Sequence, residues 1–222
     1  MSELFSIQLQ NRQQQGRDGV WLDLPTTTEQ VQAALRQIGI SSDNPQGLFI
    51  SGYFAEEKKR FAIPYNMVLA SNVDELNFLA SRLETLSAGE RAELNAALQV
   101  PQSELSSIGR ITDFPENVDY YVHLPDVRGP AQLGDYYLNR SGMVDMPEEW
   151  KGGIDTAQFG RYVAQQEQGA FTQYGYLVKS GDEWQKVYEG QPVPEEYRVL
   201  SFPVPEVMRD AANIPPPVQP ET

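Results

Sequence analysis

An α+β fold of three small lobes is what this sequence predicts, on three observations. Short alternating segments near both ends read as strands. The middle reads as a run of short amphipathic helices with capping signals. With 40% hydrophobic residues in 222, the chain can bury real cores. The expected units are an N-terminal α/β lobe over 1–65, a central helical lobe over 66–116, a C-terminal α+β lobe with a small antiparallel sheet over 117–190, and a proline-rich tail over 191–222.

Leu4 to Leu9 alternates and reads as the first strand. Val20 to Leu24 alternates as the second, ended by Pro25, with the polar stretch Asn11 to Gly19 joining them. Thr26 and Glu29 have the spacing of a capping box. Val31, Ala34, Leu35 and Ile38 follow at helical spacing, and Gly39 stops the helix. Gly47 to Phe54 reads as a third strand, so the first lobe is β-β-α-β.

Ser71 is the expected cap of a helix whose apolar face is Leu76, Leu79, Ala80, Leu83 and Leu86. Ser87 and Glu90 form a second capping box, opening a helix that carries Leu94, Ala97 and Leu98 and stops before Pro101. A third helix is predicted from about Ser103 to Thr112 on Leu105, Ile108 and Ile111. Short, closely linked helices pack as a small bundle.

Asp119 to Leu124 reads as a strand, and Leu133, Tyr136, Tyr137 and Leu138 as a short helix. Asp155 to Gln158 resembles a capping start leading into Phe159, Tyr162 and Val163. Tyr174–Lys179 and Trp184–Tyr188 are expected to pair as a hairpin about Ser180–Glu183. The tail from Gln191, ending in Pro215-Pro216-Pro217, is expected to be extended or disordered.

Charge is the anomaly: 17 Lys+Arg stand against 31 Asp+Glu, a net charge of -14. Such a chain repels phosphates, so neither direct nucleic-acid binding nor an anionic membrane surface is expected. The acidity is uneven. Residues 1–71 carry net -1, residues 72–155 net -9 and residues 156–222 net -4. A charge serving solubility alone has no reason to concentrate in the middle, so a binding surface there is favoured. With no Cys there is no disulfide, thiolate nucleophile or Cys-ligated metal. The N-terminus has no apolar h-region and no apolar run approaches the roughly 20 residues of a membrane span, so a cytoplasmic protein is expected.

Chemistry is sparse. His123, the single histidine, alternates with Tyr121 on a strand and has no identifiable triad or metal partners. None of the glycine-rich phosphate loops, zinc-binding helices or nucleophile elbows is present. Glu56-Glu57 and Glu148-Glu149 are adjacent residues, which do not face each other on a helix. No catalysis, metal or cofactor is therefore expected. A hydrolase using two carboxylates distant in sequence is a rival that would need a pocket holding both. Tyr120, Tyr121, Tyr136, Tyr137, Trp150, Tyr162, Phe171, Tyr174 and Tyr176 crowd the C-terminal part among acids, which suits core packing or a protein interface better than base stacking.

Five segments, in order, resemble the ArdA antirestriction family. They are Gly19 to Pro25 with the helix to Ile40, Asp74 to Ala80 with its leucine-rich continuation, Leu133 to Tyr137, Ile154-Asp155 with Phe159 to Val163, and Gly169 to Tyr176. Together they span roughly residues 4 to 178. The resemblance implies an elongated row of three lobes, the last mediating a homodimer. It implies mimicry of duplex DNA to inhibit type I restriction–modification enzymes, protecting incoming DNA of plasmids, transposons and phages. Lys151-Gly152-Gly153 departs from the family pattern, and Lys58-Lys59-Arg60 makes the N-terminal lobe a poor phosphate mimic.

A DNA mimic must set carboxylates on a long rigid surface, and residues three or four apart on a helix share a face. Glu90 and Glu93 meet this condition. Asp113 and Glu116 do so only if the third helix continues through Pro115. Asp74, Glu75 and Glu84 belong to the same central set. Asp119, Asp126, Asp135, Asp145, Glu148, Glu149 and Asp155 would extend the display into the C-terminal lobe. The bland alternative is that these acids are solvated faces and helix caps. The rival function is an acidic protein-binding module of a mobile element or phage, aimed at another host defence or regulatory protein.

Overall fold

The computed structural model describes residues 4–14, 16, 18–56, 61–101 and 103–204. Glu57, the Lys58-Lys59-Arg60 cluster and the tail from Pro205 lie outside the described residues. The fold is α+β, with two antiparallel three-stranded sheets and eight α-helices among the described residues.

The first sheet is formed by β1 (Phe5–Asn11), β2 (Val20–Leu24) and β3 (Leu48–Phe54) in the order β2-β1-β3. Alternation along β1 turns Phe5, Ile7 and Leu9 inward, where α1 (Thr28–Gln37) covers them with Val31, Ala34 and Leu35. The cap of α1 sits one residue later than the sequence suggested. Thr27 accepts from the Gln30 amide and Gln30 answers the Thr27 amide, because the Thr26 amide is drawn to Asn77 at 2.7 Å. Gly39 ends the helix at φ +67°, in the left-handed region.

The middle holds α2 (Tyr65–Ala70), α3 (Val73–Glu84), α4 (Ala88–Gln99) and α5 (Ile108–Thr112). Helix α2 was not anticipated. It ends at Ser71, which therefore closes one helix instead of opening the next. Asn72 and Glu75 form the capping box of α3. The Ser87–Glu90 box stands at the start of α4 as expected. The predicted helix over 103–112 is only α5, capped by Ser107. A 3-10 turn at Phe114–Glu116, with Pro115 inside it, separates Asp113 from a continuous helix.

The second sheet has the order β4-β6-β5, from β4 (Tyr121–Leu124), β5 (Ala170–Thr172) and β6 (Gly175–Lys179). Helices α6 (Pro130–Asn139), α7 (Glu148–Lys151) and α8 (Thr156–Glu167) lie between β4 and β5 in the chain. The expected hairpin of 174–179 with 184–188 is corrected: β6 pairs with β5 and β4, and residues 184–188 form no strand. Their first residues are taken by the turn that leads into β4. Asn117 bonds Gln185 through both its amide groups, and the Trp184 ring stands edge-on to Tyr120 at 5.1 Å.

One cluster of buried side chains runs from Leu4 to Val199 and joins the first sheet to the central helices. A second, of Val127, Leu133, Ala164 and Tyr176, lies between α6, α8 and β6. Asn77 on α3 stitches the first together. Its side chain accepts from Thr26 and donates to the Tyr197 carbonyl at 3.0 Å. The tail is accordingly a strap as far as it is described. Residues 195–197 form a 3-10 turn, Tyr197 packs on Phe78, and Ser42 donates to the Pro203 carbonyl. No described helix is long and apolar enough to cross a membrane.

Candidate acidic interaction surface

Helix α4 places Glu90 and Glu93 one turn apart, and the turn before β4 brings Asp119 near enough for its charge to act on Glu93. Glu90 answers the Ser87 amide, and the Ser87 hydroxyl holds its carboxyl below the usual range. Glu93 has no such partner. Its Oε1 is buried and meets no donor among the described residues. Burial, with the charges of Glu90 and Asp119 added, pushes its carboxyl up to about 8. At neutral pH Glu93 is therefore mostly protonated, and ionising it beside Glu90 and Asp119 costs stability.

The remaining predicted acids, Asp113 apart, fall into three groups. Asp126, Asp145 and Glu149 are exposed, and Asp155 is exposed while accepting from the Gln158 amide at the start of α8. Glu116, Asp135 and Glu148 have nearby cations that offset their charge: Arg82, Arg140 and Lys151 respectively. Asn139 first, then Arg140, holds the Asp135 carboxyl low. Asp74, Glu75 and Glu84 on α3 are half-buried. Asp74 accepts from Val199 and Leu200 of the strap at 2.8 and 2.7 Å, and Glu75 closes its own capping box.

Asp113 does not belong on a surface display. It is fully buried and accepts from the Tyr188 and Glu189 amides at 2.6 and 3.3 Å. Its carboxylate fixes the strap. Three carboxylates that sequence reasoning passed over proved to be junctions. Glu104 gathers Arg110, Lys179 and Tyr120, Glu167 accepts from Tyr137 and Tyr176, and Glu189 pairs with Arg110. Lys179, Tyr137 and Arg110 lie 75, 30 and 79 positions from Glu104, Glu167 and Glu189 respectively, so spacing carries no signal for those contacts.

His123 uses Nε2 toward the Tyr174 carbonyl at 2.9 Å, a turn-bracing contact. Among the described residues no group of three or more His, Asp or Glu could hold a metal. A cavity of about 650 Å3 has two carboxylates on its wall, Glu75 and Glu189. The first caps α3 and the second is kept ionised by Arg110, so neither is set up as the proton donor a carboxylate hydrolase needs.

What this surface can do is attract cations. A guanidinium or ammonium arriving at Glu90, Glu93 and Asp119 relieves their mutual repulsion. The family model for antirestriction protein (ArdA) matches residues 15–178. That is well over half of the chain, which therefore belongs to the ArdA antirestriction family. No curated protein matches it.

Proposed function

We propose that this member of the antirestriction family acts as a mimic of duplex DNA and inhibits type I restriction–modification enzymes in the cytoplasm, protecting incoming mobile-element DNA. The observation that carries the reading is the convergence of Glu90, Glu93 and Asp119 within a segment of net charge -9. Duplex DNA presents about one charge per 1.7 Å of axis, and an enzyme that grips it lines its groove with Lys and Arg. Glu90 and Asp119 form the charged centre of the display, and Glu93 beside them ionises when a cation of the partner arrives. Asp126, Asp145, Glu149 and Asp155 extend it, with Glu116, Asp135 and Glu148 contributing charges partly offset by neighbouring cations. Asp74, Glu75 and Glu84 lie at its half-buried margin on α3.

The protein binds no nucleic acid itself in this reading, and works as a homodimer through the C-terminal lobe. Exposed Trp150, Tyr162 and Met143 support an interface there.

The test titrates the purified protein into a type I restriction enzyme cutting its DNA substrate, at low and at high salt. Inhibition near stoichiometry, relieved by salt or by excess DNA, is expected, since both ligands release the same counterions. Single substitutions at exposed acids such as Glu149→Gln should change little, each being worth under about 1 kcal/mol. Joint reversal of Glu90, Glu93 and Asp119 to lysine should abolish inhibition. Salt-independent inhibition, or none from any type I enzyme, moves the function to another host defence or regulatory protein.

A further inference from the structure

The 650 Å3 cavity shares only Glu75, at the half-buried margin, with the acidic display. One wall is the end of α2 and the start of α3, with Met67, Ala70 and Phe78. Ile108 of α5 lies at its base. The other wall is Tyr188, Pro192 and Val193, from the chain beyond β6. That wall is held in place: Asp113 fixes the amides of Tyr188 and Glu189, and the Tyr188 ring stands edge-on to Phe78 at 5.0 Å. A groove already formed spares a ligand the cost of ordering it. Residues 188–193 also lie beyond the segment matched by the family model, so the groove is not a property of that segment alone.

Its size falls in the roughly 300–1,000 Å3 range that encloses a whole small ligand, which is room for more than one side chain. Its wall is mainly apolar, with Ser71, Ser107, Thr112 and Gln191 as neutral polar groups. The formally charged residues on its wall are Glu75 and Glu189, and no Lys or Arg lines it. Arg110 occupies Glu189 at 2.8 Å, so Glu75, which also accepts from the Asn72 amide at 3.3 Å, is the wall's acid without an ion-pair partner among the described residues.

We infer that this groove docks a basic amphipathic segment of a partner protein, its apolar side chains between Phe78 and Val193 and a Lys or Arg against Glu75. The inference deepens the inhibitor reading above and rests on it for the partner's identity. The groove would add a salt-resistant contact to a salt-sensitive charge display, giving preference among targets that all have basic clefts.

The test measures anisotropy of two labelled synthetic probes, a short leucine–lysine amphipathic helix and an oligolysine of equal charge. The amphipathic probe should bind at least about tenfold more tightly than oligolysine at high salt. Ala70→Trp and Pro192→Trp each place an uncharged indole over the groove from an exposed position on its two walls. Each should weaken the amphipathic probe about tenfold and leave oligolysine unchanged, with thermal midpoints confirming that both variants fold. Equal binding of the two probes, or variants that bind the amphipathic probe as the parent does, overturns the proposal. Inhibition of the restriction enzyme is read separately. If it is absent while the groove effects hold, the DNA-mimic reading fails and the groove stands.

Discussion

Glu93 records what a display of carboxylates costs. In the unfolded chain its carboxyl titrates near 4.5, and in the fold it is pushed up to about 8. Between these values the folded state binds the extra proton, so stability falls as pH rises through that window and levels off above it. With solvent screening of a partly exposed group, the loss is on the order of 1–2 kcal/mol. Glu93→Gln should flatten the dependence and raise the urea midpoint at pH 8.5 relative to pH 5.5. A variant that keeps the parent's slope would place the titration elsewhere. The pairing of Glu90 with Glu93 was legible in the sequence, since helical spacing alone brings them together. The arrival of Asp119 was not, because it depends on the turn that leads into β4. Asp113 was misread as a surface acid for the same reason. The amides that bury it belong to Tyr188 and Glu189, some 75 positions away.

At the scale of elements, two glycines decide how α6 meets α8. A Cβ on Gly134 would lie 1.9 Å from the Thr156 carbonyl oxygen, and one on Gly160 would lie 1.8 Å from that of Pro130. The helices cross with backbone against backbone, and the obstructing atoms cannot rotate away. Gly160→Ala should therefore force α8 off α6 and cost roughly 1–3 kcal/mol or more. It should disturb Leu133, Ala164 and Tyr176 while leaving the first core intact. Hydrogen exchange should rise in α6 and α8 but not in β1 or α3, and uniform loss of protection would refute the picture. Both glycines sat in segments that suggested the family, yet their spatial role needed the crossing itself. Helices with strong periodicity, α1, α3 and α4, were readable to within a residue or two at their starts. The hairpin was not. Ser180-Gly181-Asp182 is a turn signal, but the true turn is at Gln173-Tyr174, where Thr172 bonds across to Gly175. Trp184 and Gln185 find better partners in Tyr120 and Asn117, on the turn before β4, than on β6.

Over the whole molecule, charge and connectivity divide the labour. Composition alone located the acidity in the middle of the chain and the fold class in the alternation of segments. It could not reveal that the tail returns to the start of the molecule, because proline-rich sequence has no periodicity to read. Val199 is buried in the first core, Asp74 and Asn77 hold Leu200 and Tyr197, and Ser201 meets Gln32 on α1. Truncation before Gln191 would leave Asn77 and Asp74 with lost partners and uncover Phe78, each a mechanism that costs about 1–3 kcal/mol. The expected result is a fall in thermal midpoint of several degrees, with weaker inhibition following from the loosened fold. Truncation before Pro205 keeps every contact named here and serves as the control. If the shorter chain, cut before Gln191, keeps the full midpoint, the strap is an ornament on an independent core. If its midpoint falls and excess protein restores inhibition at low temperature, the strap supports the acidic surface without forming part of it.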